Sequence, residues 1–217
     1  MTRKLTFLVV LFVSSVVLIS IATAQTIPVE LKKVVTFIFP ADEQGNLQRA
    51  PKTNNPIPYG TGFFVGVKDD TGKSVYGYLV TAKHVLKDEH GKDFARCYLR
   101  MNTSKGDAEF ITLDLIRNGQ RVVYTHPDPS VDIAVVPVSP SAAQFDFKIL
   151  PDDMLSTKAT FDEYNIAEGS DVFFVGLFTT NYGEHQNVPI FRFIPIGLKQ
   201  VAQLLREGGG HGRHRPA

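Results

Sequence analysis

The chain has 217 residues, of which 43% are hydrophobic and 21% are charged, a composition typical of a globular protein. Its net charge of +1 gives no reason to expect a nucleic acid or another polyanion as a partner. The single cysteine, Cys97, excludes an internal disulfide, so the hydrophobic core must hold the fold together. The alternating sequence around Cys97 predicts a buried, structural thiol in a strand.

The N-terminus has the pattern of a secretory signal. Residues 1–4 are basic, residues 5–22 carry no charge, and Ala22 and Ala24 have the spacing that signal peptidase prefers. We therefore predict a signal peptide over residues 1–24, and a mature protein that is secreted or periplasmic. Because the apolar run is near the length that spans a bilayer, an uncleaved membrane anchor is the alternative.

Short β-rich runs separated by turn residues follow in chain order. Their regular spacing predicts an all-β protein, either a sandwich or a barrel. The sequence DDTGK at 69–73 predicts a hairpin, and the run at 171–179 is apolar enough to predict a strongly buried strand. The predicted strands are residues 32–40, 61–70, 74–85, 94–102, 108–116, 120–127, 131–138, 171–179 and 188–193.

The last twenty residues, 198–217, differ from this strand pattern. They begin with a helical period and end in Gly, His and Arg, which predicts a helix followed by a low-complexity, disordered tail. The alternative is that the reading frame has slipped near Phe193. The residues that share one face of the predicted helix are Leu198, Val201, Leu204 and Leu205.

Two ionisable residues lie where predicted strands end or begin. His84 follows the apolar sequence LVTA, and Asp132 opens the apolar run VDIAVVPV. A lone carboxylate is costly to bury beside such a run, and a histidine that acts as general base needs a carboxylate to orient its ring. The combination predicts a catalytic His–Asp pair. The alternative is a packing histidine and an aspartate of an ordinary turn.

Four segments make the chain resemble a known family. They are Gly60–Val65 (GTGFFV), Tyr78–Val85 (YLVTAKHV), Asp128–Val138 (DPSVDIAVVPV) and Glu168–Leu177 (EGSDVFFVGL). In these segments the chain resembles the trypsin-like serine peptidases of the chymotrypsin fold, particularly secreted bacterial members without disulfides. The resemblance covers roughly residues 30–193, and the His–Asp pair is its most specific part.

The resemblance implies two antiparallel β-barrels with the active site in the cleft between them. It implies that His84 is the general base and that Asp132 orients the imidazole. The expected organisation is a complete first barrel over residues 25–140, which carries both residues, and a connector with an incomplete second barrel over residues 141–197. In the family a disulfide cysteine often follows the histidine, whereas this chain has Val85.

The nucleophile of the family lies in a Gly-x-Ser-Gly motif, and the sequence contains no such motif. Ser170 is the one serine that directly follows a glycine, and its neighbours EG and DV predict a turn. We therefore expect a truncated or frame-shifted peptidase that is inactive as given, without the nucleophile serine and its oxyanion hole. Two other readings remain: a secreted, non-catalytic binding module (a pseudo-peptidase), and an unrelated secreted β-protein.

The sequence gives no sign of a cofactor or a metal site. The glycine-rich stretch at 207–212 lacks the Lys-Ser/Thr of a phosphate loop, and His211 and His214 have no third ligand at a suitable spacing. We expect no cofactor and no metal. The expected partner is a polypeptide substrate of an intact form, with no nucleic acid, and a membrane only through an uncleaved N-terminal segment. The oligomeric state stays open.

Overall fold

The computed structural model describes residues 27–178 and 182–197, and it belongs to the all-β class, as predicted. One short helix, α1 (Lys158–Glu163), and 3₁₀ turns at Val29–Val34, Lys83–Leu86 and Asp152–Met154 complete this part. No helix in these ranges is long and apolar enough to cross a membrane. The predicted signal peptide and the predicted tail lie outside the described residues.

The strands are short and follow the predicted pattern closely. They are β1 (Val35–Pro40), β2 (Gly60–Lys68), β3 (Val75–Thr81), β4 (Arg96–Asn102), β5 (Ala108–Asp114), β6 (Ile116–Arg117), β7 (Gln120–Arg121), β8 (Tyr124–Thr125), β9 (Ala134–Pro137), β10 (Leu150–Pro151), β11 (Asp171–Gly176) and β12 (Ile190–Pro195). The run predicted at 120–127 is the exception, because it is split into two dipeptides, β7 and β8.

Most strands belong to one sheet with the order β5-β4-β1-β2-β3-β9-β8. Every neighbouring pair along this path is antiparallel, and β10 adds to β2 in parallel. The hairpin predicted between β2 and β3 is confirmed. Its turn is closed by the Asp69 carboxylate, which accepts the backbone N–H groups of Lys73 and Ser74, and by Gly72 at a φ of +68°.

The core lies against this sheet. It also includes Phe145, which follows β9 in the connector that starts at residue 141. Strand β1, an inner strand of the sheet, is buried along nearly its whole length. Cys97 is fully buried, as predicted, and burial raises the pKa of its thiol to about 12, which keeps it protonated and unreactive. The buried cluster contains Ile38, Phe64, Leu79, Val85, Leu86, Cys97, Leu99, Met101, Leu113, Leu115, Ala134, Val136 and Phe145.

The sheet does not close into a barrel, so the complete first barrel expected for residues 25–140 is not confirmed. The two strands that would have to meet, β5 and β8, are separated along the chain by the β6–β7 hairpin. Asn118 and Gly119 form the turn of that hairpin with φ values of +51° and +75°, which an Asn-Gly pair adopts readily. Among the described strands, β5 pairs only with β4 and β8 pairs only with β9, so the sheet stays open between them.

The β11–β12 ribbon forms a separate two-stranded sheet. The strand predicted at 171–179 is confirmed in its position over Asp171–Gly176, but the prediction that it is strongly buried is wrong. Phe173 and Phe174 are 40% and 44% exposed, and Phe193 on the partner strand is 67% exposed. A two-stranded ribbon buries its side chains only where another layer covers it, and its faces are only partly covered within the described residues.

Arg100 of β4 attaches the loop before β12 to the main sheet. The residue is 3% exposed, and its guanidinium donates to the carbonyls of Tyr182 at 2.7 Å and Glu184 at 3.0 Å and to Asn187 Oδ1 at 3.0 Å. Burial lowers the pKa of Arg100 from its usual value. Its polar partners are carbonyl oxygens, so the buried charge is stabilised by dipoles. Asn102 and Asn187 exchange two further hydrogen bonds beside it.

Candidate active site

His84 lies on a 3₁₀ turn that directly follows strand β3. The hydroxyl of Thr81, the last residue of the strand, donates to the carbonyl of Thr61 at 2.8 Å and fixes the strand end to β2. In the turn, Val85 and Leu86 are buried in the core. Because the residues of a tight turn point in different directions, burial of these two leaves the His84 side chain at the surface, where it is 74% exposed.

Asp132 lies two residues before Ala134, where strand β9 starts. Val131 on one side of it is buried, and Ala134, the first residue of the strand, is fully buried and pairs with Thr81 of β3. The β3–β9 pairing therefore brings the end of one strand next to the start of the other. His84 and Asp132, which are 48 positions apart in the sequence, meet at this point.

Both carboxylate oxygens of Asp132 contact His84. Oδ2 lies 2.5 Å from the ring Nδ1, and Oδ1 accepts the backbone N–H of His84 at 3.2 Å. The hydrogen bond from the ring is the largest cause that lowers the pKa of the Asp132 carboxyl, and the backbone N–H groups of His84 and Lys83 act in the same direction. An ionised Asp132 holds the proton on Nδ1 and leaves Nε2 as the basic nitrogen of the ring.

This arrangement can act as a general base. A carboxylate that accepts hydrogen bonds from both the ring and the backbone of a histidine fixes the orientation of the ring. It also stabilises the imidazolium that forms when Nε2 takes up a proton. The structure thus brings together the two residues that the sequence singled out. The sequence does not predict the second contact, the hydrogen bond from the His84 backbone N–H to Asp132, because every residue type except proline has such a group.

Among the described residues, no nucleophile lies beside the basic nitrogen of His84. In the described part of the chain, no hydroxyl or thiol lies within hydrogen-bond distance of His84 Nε2. The Ser170 hydroxyl accepts the backbone N–H of Ala167 at 3.1 Å, as part of a turn with Gly169 in the left-handed region. Cys97 is buried in the core. The pair is open to solvent, since the Asp132 side chain is 50% exposed.

A metal site is not found among residues 27–178 and 182–197, where no group of three or more His, Cys, Asp or Glu side chains could hold an ion. His211 and His214 lie outside the described residues. His126 accepts the backbone N–H of Asp128 at 3.0 Å through Nδ1 and helps to form the turn before Asp132.

No protein-family profile matches the chain, and no curated protein matches it. The contacts of the His–Asp pair and the strands that position it are therefore the features from which a function can be inferred.

The lowered pKa of Asp132 is directly measurable. The midpoint of the Asp132 carboxyl, followed by ¹³C NMR, is expected below the ordinary value of about 3.9 and to rise towards it in His84→Ala, because the ring bond is its main cause. His90→Ala, at an exposed site, should leave the midpoint unchanged. An identical midpoint with and without the His84 ring would contradict the hydrogen bond.

The sign of the pH effect on stability follows from the same bond. The pKa of Asp132 is lower in the folded state than in the unfolded state, so the ionised carboxylate stabilises the folded state at pH values above the ordinary carboxyl pKa. This stabilisation is lost as the pH falls through the lowered pKa of the folded state. For a pair this exposed, we expect the contribution to stay within about 1 kcal/mol.

Gly60 lies behind the turn that carries His84, where a side chain would not fit. A Cβ atom at this position would lie 2.5 Å from Cγ1 of Val85, the residue after His84. Gly60→Ala is therefore expected to displace the turn and to lower the free energy of unfolding by about 1–3 kcal/mol, measured by urea denaturation. It should also raise the Asp132 carboxyl midpoint, because the His84 ring moves with the turn.

Gly176→Ala is the matched control for this substitution. Gly176 is also a strand glycine, but the nearest atom to an added Cβ lies 3.9 Å away, on Phe174. This variant should unfold within about 0.5 kcal/mol of the parent protein. Equal losses in the two variants would mean that the space behind the turn has no special role.

Proposed function

We propose that the chain is a member of the trypsin-like serine endopeptidase family that keeps the His–Asp pair and lacks the nucleophile serine, so that it does not cleave peptide bonds as given. The observation that carries the proposal is the double contact of Asp132, at 2.5 Å to the His84 ring and at 3.2 Å to its backbone. A packing histidine needs neither contact, and it would not leave three quarters of its side chain in solvent.

The chemistry that this pair serves is acyl transfer. A serine hydroxyl placed at His84 Nε2 would pass its proton to the ring as its oxygen attacks the amide carbonyl. Asp132 would stabilise the imidazolium, which then gives the proton to the leaving amine. The step needs a nucleophile and an oxyanion hole, and the sequence has no Gly-x-Ser-Gly motif to supply them.

The strand order supports a chymotrypsin-like arrangement. The histidine follows β3, the aspartate precedes β9, and these strands are neighbours in the sheet. The sheet has β5 and β8 as its outer strands, which the segment 115–123 joins and which do not pair with each other. We propose that it corresponds to the first barrel, and that the β11–β12 ribbon belongs to the second.

The expected location and substrate are part of the same proposal. The basic, apolar and small-residue pattern of residues 1–24 supports a secreted or periplasmic protein. Reliance on a buried core, with a single buried thiol, is compatible with an environment in which disulfides form. The substrate of a form with a nucleophile would be a polypeptide.

A non-catalytic binding module is the second candidate. It is favoured by the exposed aromatic ribbon, where Phe173, Phe174 and Phe193 are available for contact, and by the absence of a hydroxyl at His84 Nε2 among the described residues. Such a module must be soluble and must unfold cooperatively as a purified chain. A genetic fragment of an enzyme need not do either, and this difference distinguishes the two candidates.

The deciding experiment is to resequence the gene through and beyond the codons for Pro189 to Ala217 and to translate all three frames. A Gly-x-Ser-Gly segment in a shifted or downstream frame would support the peptidase assignment. Its absence would make the binding module the leading candidate.

As a biochemical check, the purified chain is expected to show no hydrolysis of casein. Hydrolysis that His84→Ala abolishes would overturn the proposed inactivity.

A further inference from the structure

A cavity of about 240 Å³ lies beside the turn that carries His84. Lys83 and Leu86 line it, and these are the first and fourth residues of a 3₁₀ turn, whose side chains project from the same face. Ala134, at the start of β9, lines it as well. The cavity therefore lies beside the segments that carry the His–Asp pair, since Lys83 directly precedes His84 and Ala134 follows Asp132 by two residues, although neither member of the pair lines it.

The rim of the cavity carries more positive than negative charge. Lys83, Lys87 and Arg121 line it, with Asp93 as the one carboxylate among the lining residues. The Oδ1 atom of Asp93 forms ion pairs with two of these cations, Arg121 Nη2 at 3.1 Å and Lys87 Nζ at 3.9 Å. Lys83 donates to the carbonyl of Pro129 at 3.3 Å, a neutral acceptor. One further anion would thus be stabilised here.

The floor of the cavity is apolar. Leu86 and Ala134 are fully buried, and Val123 is partly buried and packs against the core. The volume is below the range of about 300–1,000 Å³ that is typical of small-molecule sites, so it suits a side chain or a chain end. An apolar floor below a cationic rim matches a short aliphatic stem with a terminal carboxylate.

We propose that this cavity binds a carboxylate of a polypeptide held at the His–Asp pair, with Lys87 and Arg121 as the residues that recognise it. The carboxylate is a glutamate or aspartate side chain, or a C-terminus. This inference rests on the proposed function, because the peptide is taken to be the substrate or ligand of the same site. It adds a preference for acidic sequences, which the identity of His84 and Asp132 does not imply.

Binding of three fluorescent peptides to the purified chain tests the inference. The first has an internal glutamate among apolar residues and a C-terminal amide, the second has glutamine in its place, and the third is the glutamine peptide with a free C-terminal carboxylate. We expect the glutamate or the free-carboxylate peptide to bind about tenfold tighter than the neutral one, the effect of one charge-assisted hydrogen bond. Which of the two binds tighter identifies the source of the carboxylate.

The double variant Lys87→Gln/Arg121→Gln should reduce this ratio to about one. Lys68→Gln is the matched control, because Lys68 is also an exposed lysine paired with one aspartate, Asp153, at 3.1 Å, but it does not line the cavity. Thermal unfolding of both variants shows whether each is folded, and Arg121→Lys provides a milder change. Equal affinity for all three peptides, no binding at millimolar concentration, or an unchanged preference in the double variant would overturn the inference.

The Asp132 carboxyl titration keeps this inference separate from the proposed function. If the chain prefers a carboxylate but the Asp132 midpoint does not shift with His84, carboxylate binding in the cavity is supported and the catalytic pair is not. The shift without any preference would overturn the cavity alone.

Discussion

Replacing Phe39 by alanine is expected to lower the free energy of unfolding by about 3–5 kcal/mol, the usual cost of truncating a fully buried phenylalanine. Phe39 lies in the central strand β1, and its ring meets the edges of Phe37 at 6.2 Å, Phe110 at 5.0 Å and Tyr182 at 5.7 Å. Phe110 and Tyr182 come from two other parts of the chain, so the resulting cavity cannot collapse without moving the sheet or the loop at Tyr182.

Phe174→Ala is the matched control for this loss. Phe174 also lies in a strand, but its side chain is 44% exposed on the two-stranded ribbon. Its removal should cost less than about 1 kcal/mol by urea denaturation at the same pH. If both variants lost the same stability, the ribbon would be packed as tightly as the main sheet, contrary to the observed exposure.

The sequence predicts most of the strands because their apolar residues alternate or run continuously between turn signals. It fails at 120–127, where Val122, Val123 and Tyr124 have the composition of a strand. The Asn118-Gly119 turn takes precedence, since it folds the chain back on itself so that the Val122 N–H donates to the Leu115 carbonyl. After this local turn, β7 pairs with β6 and β8 pairs with β9, and β8 does not pair with β5 as it would in a closed barrel.

The candidate site is predictable to the level of residue identity. His84 and Asp132 lie at strand ends, and the pairing of β3 with β9 brings the two side chains together. The burial of the ribbon was mispredicted, because the composition of DVFFVGL does not tell whether a second layer covers it. Arg100 is the clearest residue that pattern reasoning misses, since its polar partners, Tyr182, Glu184 and Asn187, lie 82 to 87 positions away.

Arg100→Met is expected to lower the free energy of unfolding by about 2–4 kcal/mol. The substitution keeps the apolar bulk of the side chain but leaves the carbonyls of Tyr182 and Glu184 and the Asn187 amide oxygen without their donor. Partly buried acceptors that lose a charged donor cost about 1–3 kcal/mol each, and solvent access to this loop reduces the total. Arg100→Lys should recover only part of the loss, because an ammonium lacks the planar fork.

Hydrogen exchange locates the effect of Arg100→Met. The amide of Asn187, which donates to Asn102 Oδ1 at 2.7 Å, should lose protection, whereas the amide of Leu79 in the central part of the sheet should keep it. Arg192→Met is the control, since Arg192 lies over the rings of Phe174 and Phe178 and is exposed. It should cost less than about 1 kcal/mol.

The two largest effects should not add in the double variant Phe39→Ala/Arg100→Met. Both side chains hold Tyr182, Phe39 by an edge contact at 5.7 Å and Arg100 by its guanidinium 5.0 Å above the ring. Once one contact is lost and the loop moves, the second has less to stabilise, so the sum of the single losses should exceed the double loss by about 0.5–3 kcal/mol. Additive losses would mean that the loop at Tyr182 does not couple the β11–β12 ribbon to the sheet that carries His84 and Asp132.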